Sequence, residues 1–536
     1  MTRQRSMWRI VNALRNVLFT KKNIYTLCFI LFMIIDWTRG SQVGSTWAWT
    51  VNMTGVVLSV IMLSTYNIRV FLKPIYIVYS LACIIALPIS YIWWYANQAL
   101  IYRDKLLSAV LNVWFLGIIL IKMFQDIIIY KTKKLSFCKI EIVIAFLLIW
   151  MFFSINEDVW PIWFLVMFGL FYHTDYSEET LEDLKQGLLN GIIIGFFLLQ
   201  GAAFAFRPFD DGQYRYCGIY ANCNINALFY CVVAIAFLLK LYYARKNNEK
   251  KWLILFYYVF VGIMFVLICF TVSKTALLSI FSVAVVYLLF ADIILLEKKA
   301  KNIVLSSLLM MFVVCVSLPI VYGAVRYIPT ILHHPIWYEG EYSEDKVHSF
   351  DPWDSEKYVS FDELTGGISE RIKPLLNSLF GELMNGMGNV HASEVIDDLT
   401  IQKEPDETLF DNQAVIGRLG VWHYYLKNGT IVGHSSEDGH DIGWGDWYVW
   451  HAQNVFVQFW YYYGIPSAIM LLVIIVWQAC SCIKNIFENN DRALICLLYG
   501  VLFTMYGLFE CVWYPGQMIL LLFFLTPIFL KKRVKM

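Results

Sequence analysis

Three polar residues with helical spacing lie where a long polar segment gives way to an apolar one. His451, Asn454 and Gln458 stand three and four residues apart within the segment 450–465, WHAQNVFVQFWYYYGI. On a helix these spacings put the three side chains on one face. A histidine titrates near neutral pH and can act as a general base, and the amides can orient a substrate or the ring. We therefore expect half of an active site here; taken alone, His451 also fits an interfacial histidine with satisfied hydrogen bonds.

Basic residues in other segments supply a complementary charge. Arg207 and Arg215 lie in FRPFDDGQYRYCG, Lys274 lies in TVSKTALL, and Arg418 lies in IGRLGVW. A guanidinium binds phosphate oxygens in a bidentate way and stays charged. Arg371 in SERIK is a weaker copy of the Arg418 pattern and competes with it. Together these residues predict an anion site, although each alone also fits a headgroup contact or an ordinary loop cation.

The composition is that of a polytopic membrane protein. Of the 536 residues 59% are hydrophobic and 15% are charged, against about 25% charged residues in soluble domains. The net charge is +1, and we expect no nucleic-acid partner. The apolar runs predict an all-α fold with about fourteen spans, twelve being the lower count. The expected spans lie near 23–38, 46–66, 71–95, 106–124, 139–154, 159–173, 186–205, 225–243, 252–270, 275–296, 303–323, 452–478, 493–511 and 517–530.

Basic segments orient these spans. Five of them, including both termini, fall on one side of the membrane in this count. Because basic loops stay in the cytoplasm, we expect cytoplasmic termini and a large extracytoplasmic loop. The chain then divides into four parts: an interfacial N-terminal segment at 1–22, a bundle at 23–323, a loop subdomain at 324–450, and the last spans with a basic tail at 451–536.

The loop at 324–450 is acidic and contains periodic apolar residues. It holds 22 Asp or Glu, eight Lys or Arg, and seven of the nine histidines. Apolar residues recur at helical spacing in 372–387 and 414–429. This pattern predicts a small helical subdomain.

Histidine and cysteine spacing does not predict a metal site. His423, His434 and His440 match no ligand template, and no Cys/His zinc spacing occurs. We therefore expect neither a metal nor a cofactor. Cys217 and Cys223 lie near the expected outer face, where they either form a disulfide or fill apolar space.

In this order, the segments resemble the O-antigen ligase and polymerase superfamily of bacterial membrane glycosyltransferases. The resemblance covers about 206–466 and rests on RYCGIYANCN from Arg215, SKTALL, GRLGVW, and HAQNVFVQ followed by Gly-Ile. Three positions depart from the family pattern. Lys274 stands in place of an arginine, Cys223 in place of a proline, and Gln453 changes the usual motif before the asparagine. Lysine offers a point charge where arginine offers a planar fork.

The resemblance implies an enzyme with a GT-C-like membrane fold in the inner or plasma membrane of a bacterium. It implies inverting, metal-independent transfer of a glycan from undecaprenyl diphosphate to a glycan or lipid-glycan acceptor, within a polysaccharide assembly system. His451 and Arg418 would be catalytic. Diphosphate binding would fall to Arg215, Lys274 and Arg207, and orientation of the acceptor or the histidine to Asn454, Gln458, Asn222 and Asn224.

Two questions stay open at the level of the sequence. The enzyme is either a polymerase or a ligase, and we favour a polymerase because the resemblance is diffuse in the acceptor region. A lipid-linked glycan flippase or transporter is the alternative from another class. Carriers tend to have inverted repeats and midplane sites, whereas this sequence has no detected repeat and its ionisable residues cluster at the expected outer face.

Overall fold

The computed structural model describes most of the bundle and part of the large loop. The described residues are 20–40, 47–97, 103–133, 139–156, 158–207, 209, 215–332, 359–370, 413–435, 443–444, 447–448 and 451–530. Residues 1–19 of the expected interfacial segment and the expected helix at 372–387 lie outside them. Apart from one two-residue antiparallel pair, the elements of the described part are helical.

The elements are numbered in chain order. The helices are α1 Lys21–Gly40, α2 Trp47–Leu63, α3 Pro74–Asn97, α4 Arg103–Phe124, α5 Lys139–Phe153, α6 Trp160–His173, α7 Glu178–Phe206, α8 Cys223–Lys246, α9 Lys251–Phe270, α10 Lys274–Tyr287, α11 Ala300–Leu332, α12 361–370, α13 Gln413–Lys427, α14 Val455–Gln458, α15 Ile465–Phe487, α16 Ala493–Gly507 and α17 Met518–Leu525. Short π- or 3₁₀-helices lie at Ile68–Leu72, Gln125–Ile129, Leu288–Leu295, Phe459–Tyr463 and Thr526–Leu530. The strands are β1 Gly443–Trp444 and β2 Trp447–Tyr448, with Trp444 opposite Trp447.

Eight helices of the described part are long and apolar enough to cross a membrane: α3, α4, α7, α8, α9, α10, α11 and α15. Shorter apolar helices include most of α2 together with α6, α16 and α17. Every predicted span contains a helix, but length and hydropathy support eight crossings, and the number fourteen stays a prediction. Helices of this kind are typical of a polytopic membrane protein, as the composition predicts.

Helix α8 lies at the centre of the bundle. Of its most apolar stretch 89% is buried, and it packs against α7, α9, α10 and α16. A helix surrounded in this way is apolar on all sides, as the segment Ala227–Leu239 is. In contrast, only 11% of the corresponding stretches of α3 and α11 is buried, so their apolar side chains face away from the protein.

A row of glycines brings α7 against α1. Gly187, Gly191 and Gly195 recur every fourth residue, and a Cβ on the first two would lie 2.4 Å and 2.5 Å from the Cβ atoms of Tyr25 and Phe29. Small residues at this spacing let two helix backbones approach closely in a membrane. The contact fixes α1 against α7.

The bundle has two polar ends, named here for an arginine at each. The Arg245 end comprises 21–22, 122–133, 175–185, 245–251, 292–299 and 485–492, which hydrogen bonds and ion pairs join. The Arg215 end comprises 36–40, 215–224, 271–274, 451–458 and 508–517. Helix α8 runs from the Arg215 end to the Arg245 end, and α9 runs back.

The expected helix at 452–478 is not continuous. Asn454 has extended backbone geometry and caps α14 by accepting from the amides of Phe456 and Val457. The expectation that His451, Asn454 and Gln458 share one face of a helix is therefore wrong, because His451 lies in the non-helical segment before α14. An asparagine side chain satisfies amides that a helix start leaves free, which favours it at the cap over a helical position.

A second break separates α14 from α15, where two chain segments cross. Gly433 and Gly464 both have positive φ angles, +85° and +87°. A Cβ on Gly464 would lie 2.0 Å from the carbonyl oxygen of Ile431, so no larger residue fits there. Next to this contact the amide of Ile465 donates to the carbonyl oxygen of Thr430 at 3.0 Å. The crossing attaches the segment after α13 to the start of α15.

Candidate functional site

Arg215 lies in the connection between α7 and α8 and is held from two directions. Its Nε donates to the carbonyl oxygen of Thr271 at 2.9 Å, and its Nη2 donates to Oδ1 of Asn224. Because Thr271 precedes α10 by three residues, the first contact brings the start of α10, and with it Lys274, to the Arg215 end.

Asn222 and Asn224 organise the start of α8. Asn222 is the cap residue and accepts from the amide of Asn224 at 2.7 Å, an interaction worth about 1 kcal/mol. The side chain of Asn224 accepts from Arg215 and donates from Nδ2 to Oε1 of Glu510 at 2.8 Å. The hydroxyl of Tyr506 donates to the carbonyl oxygen of Asn224. Asn224 therefore joins Arg215 to the segment that follows α16.

Arg207 occupies a different environment from Arg215. Arg207 is 7% exposed, and its Nε donates to the carbonyl oxygen of Gly218 at 2.7 Å. This contact holds the turn between Arg215 and α8. The placement favours support of the loop over direct contact with a ligand.

Lys274 is the first residue of α10 and is exposed. Ser273 caps this helix by accepting from the amide of Ala276 at 3.4 Å. Within the described part of the chain, no carboxylate lies within ion-pair distance of Lys274 or Arg215. A lysine at the positive end of a helix dipole is unfavourable unless an anion lies nearby. The start of α10 is thus suited to an anion.

His451 is half-buried, and one of its ring nitrogens has an identified contact. The amide of Gln453, a residue with φ +50°, donates to Nδ1 at 3.2 Å. In a neutral ring this contact assigns the proton to Nε2. The ring can accept a proton at Nδ1 only if the contact with Gln453 opens.

The amides of Asn454 and Gln458 bind the segment after α16. Nδ2 of Asn454 donates to the carbonyl oxygen of Leu508 at 2.9 Å. Oε1 of Gln458 accepts from the amide of Ala452 at 2.9 Å and from the thiol of Cys511 at 3.6 Å. These residues hold the backbone that follows His451 against the segment after α16; the prediction that they orient the acceptor or the histidine stays a prediction.

Helix α13 docks beside His451, in agreement with the predicted helix at 414–429. Nε1 of Trp422 donates to the carbonyl oxygen of Ala452 at 2.7 Å. Arg418 stands one helical turn before Trp422 on α13, so its backbone is near the site. The side chain of Arg418 and the whole of Arg371 lie outside the described residues.

Two charged residues of the Arg215 end were not predicted. Glu510 accepts from Asn224, as described above. Arg39, at the end of α1, lies 3.8 Å from the carboxylate of Asp36 and over the ring of Tyr514, 5.8 Å from its centroid. Its Nε and Nη2 are buried and have no hydrogen-bond partner. Both residues carry a charge at the edge of an apolar run, and that signal was available in the sequence.

The described thiols and histidines bear on the disulfide that the sequence leaves open and on the metal site that it does not predict. No disulfide joins Cys217 and Cys223. Burial raises the pKa of the Cys511 thiol to about 12, which keeps it protonated at neutral pH and unsuited to act as a nucleophile. His434 stacks on Tyr461 at 4.0 Å. Among the described residues, no group of three His, Cys, Asp or Glu side chains is placed to hold a metal.

The contacts form one continuous chain at the Arg215 end. They run from Thr271 through Arg215, Asn224 and Glu510 to Leu508, and from there to the Asn454 segment. Hydrogen bonds thus bring together the Arg215, Lys274 and Asn454 segments, three of those in which sequence analysis placed chemistry, and Trp422 adds α13 as the fourth. The arrangement offers cations that can bind an anionic group and a histidine that can form a hydrogen bond with a polar group.

Comparison with known proteins returned no relative. No protein-family model matches the chain, and no curated protein and no solved structure is significantly similar to it. The fold places the protein in the class of polytopic helical membrane proteins.

Proposed function

We propose that the protein is a glycosyltransferase that moves a glycan from undecaprenyl diphosphate to a sugar acceptor at the outer face of a bacterial cell membrane. Polymerisation of lipid-linked repeat units is the favoured reaction, and ligation to a different acceptor is the second form of the same chemistry. The Arg215 end would face outward, with both termini in the cytoplasm.

The observation that carries the proposal is the meeting of Arg215, the start of α10 and the His451 segment at one end of a membrane bundle. A glycan on a lipid diphosphate has its apolar chain in the bilayer and its charged linkage at the surface. Cations at the mouth of a bundle match that geometry, because phosphate binds arginine and helix N-termini.

In the proposed reaction, a hydroxyl of the acceptor attacks the anomeric carbon from the face opposite the diphosphate. The new carbon–oxygen bond forms as the bond to the diphosphate oxygen breaks, which inverts the configuration. His451 accepts the hydroxyl proton at Nδ1, for which the Gln453 contact opens at a cost of about 1 kcal/mol. Arg215 and Arg418 stabilise the charge on the departing lipid diphosphate, and Lys274 binds the diphosphate equally in the ground state and the transition state.

The direct test uses purified full-length protein in vesicles with a lipid-linked repeat unit. A ladder of products supports polymerisation, and a single addition to a different acceptor supports ligation. Movement of the lipid-linked glycan across the bilayer with no new glycosidic bond would assign the protein to the flippases and overturn the proposal.

The role of His451 is tested with two substitutions. His451→Ala and His451→Gln should both reduce transfer by about a hundredfold or more, because neither side chain accepts a proton at neutral pH. Expression should be unchanged, and the melting temperature should stay within a few degrees of that of wild type. Retained activity in His451→Gln would exclude the base role and leave hydrogen bonding as the function of this side chain.

A further inference from the structure

Glu510 belongs to a hydrogen-bonded relay that also contains Arg215 and Asn224. The guanidinium donates to Oδ1 of Asn224, and Nδ2 of Asn224 donates to Oε1 of Glu510 at 2.8 Å. The backbone of Asn224 is fixed as well, because its amide binds Asn222 and its carbonyl oxygen binds Tyr506. One neutral amide therefore separates a cation from a carboxylate.

The order of groups in this relay has an electrostatic consequence. An amide side chain has one acceptor and one donor side, and an ionised carboxylate only accepts. Glu510 and Arg215, which only donates, together determine which way the Asn224 amide faces: the donor side turns to Glu510 and the acceptor side turns to Arg215. A carboxylate in direct contact with Arg215 would form an ion pair and offset the charge of the guanidinium. The amide orients the guanidinium and leaves its charge available.

We propose that Glu510 is a positioning residue of the diphosphate site, which fixes Asn224 so that Arg215 faces the bound anion with its charge uncompensated. The identity of the anion rests on the proposed function. The relay itself rests on the contacts of Arg215, Asn224 and Glu510.

The experiment exchanges the amide and the carboxylate between positions 224 and 510. The double variant Asn224→Asp/Glu510→Gln keeps the charge count and the number of hydrogen bonds but puts the carboxylate against Arg215. Binding of inorganic diphosphate to the full-length protein in detergent is measured by calorimetry, with the melting temperature as a control for folding. We expect affinity to fall by about thirtyfold or more in the exchanged variant, at a melting temperature no lower than that of wild type.

Single substitutions at Glu510 distinguish its effect on the orientation of Asn224 from the effect of its charge. Glu510→Gln retains an acceptor for Nδ2 of Asn224 and should bind diphosphate within about threefold of wild type. Glu510→Ala removes the acceptor and should bind about tenfold more weakly. Wild-type affinity in the exchanged variant, or equal losses in Glu510→Gln and Glu510→Ala, would overturn the proposal.

A second readout does not depend on the ligand. Modification of Arg215 by phenylglyoxal, followed by mass spectrometry, should slow about fivefold or more in the exchanged variant, because the ion pair shields the guanidinium. Unchanged reactivity would overturn the relay. Slowed reactivity together with an absence of diphosphate binding in wild type would uphold the relay and overturn the diphosphate site of the proposed function.

Discussion

The two ends of the bundle treat their charges in opposite ways. Of the eight ion pairs between described residues, seven lie at the Arg245 end. There Asp292, 1% exposed, is 3.0 Å from both Arg245 and Lys298. The eighth pair, at the Arg215 end, joins Arg39 and Asp36 at 3.8 Å. Within the described residues, Arg215 and Lys274 have no carboxylate at ion-pair distance.

The difference separates charges that are paired within the protein from charges that stay available to a ligand. Removing one partner of a buried ion pair leaves the other without compensation, which costs about 3 kcal/mol or more. A cation held by amide and carbonyl oxygens, as Arg215 is, keeps a net charge that an anion can use. This comparison makes the effects of equivalent substitutions at the two ends predictable.

The largest effect should come from the two arginines that name the ends. Arg215→Met should reduce glycan transfer by at least about a hundredfold, while Arg245→Met should reduce the free energy of unfolding by about 2 kcal/mol, because Lys298 remains paired with Asp292. Transfer and melting temperature are measured for both proteins. If Arg215→Met lowers the melting temperature as much as Arg245→Met does, the distinction between the ends is lost.

A smaller loss is expected at α13, the helix that docks on the His451 segment. Arg418→Lys keeps the charge but removes the planar fork, and transfer should fall by about ten- to fiftyfold. Arg371→Lys is the matched control and should stay within about twofold of wild type. Equal effects of the two substitutions would show that the other loop arginine belongs to the site.

Lys274 should contribute less than the arginines, because it is exposed and offers a point charge. Lys274→Met should raise the KM for the lipid-linked donor about tenfold and change kcat little. Lys246→Met at the Arg245 end, where Asp491 is the partner at 2.7 Å, serves as the control with unchanged KM. An unchanged KM in Lys274→Met would remove this residue from the diphosphate site.

The smallest effect is expected at Arg39, where a weak ion pair and two buried nitrogen atoms without acceptors coexist. Arg39→Met should lower diphosphate affinity about threefold, since the positive charge near Tyr514 is lost and no direct contact is broken. Calorimetry with inorganic diphosphate measures this. A gain in diphosphate affinity would mean that the only role of Arg39 is to offset the negative charge of Asp36.

Much of the architecture follows from local sequence, and the site does so only in part. Apolar runs located the helices, since burial in lipid or protein requires apolar side chains over about 20 residues. The breaks around α14 were missed because they depend on distant partners. Gly464 has positive φ where the carbonyl oxygen of Ile431 leaves no room for a side chain, and the Asn454 cap is held by Leu508.

The site residues show the same limit. Arg215 was predicted as an anion ligand from its residue type, whereas Asn222 and Asn224 were expected, from the family resemblance, to orient the acceptor or the histidine, and these roles stay predictions. Glu510 was missed, since the role of a lone carboxylate depends on the Asn224 amide beside it, which the sequence does not show. Arg207 was given the same role as Arg215, and only burial against the Gly218 carbonyl separates the two.

The crossing of the chain at Gly433 and Gly464 determines when the site can form during synthesis of the protein. His451 lies between the two glycines, which are 31 residues apart. During translation the first segment leaves the ribosome well before the second, so the contact between Thr430 and Ile465 cannot form until α15 has been made. Leu508, which binds Asn454, is made later still. A nascent chain thus carries the histidine without its surroundings, and the site is assembled only as the last helices join the bundle.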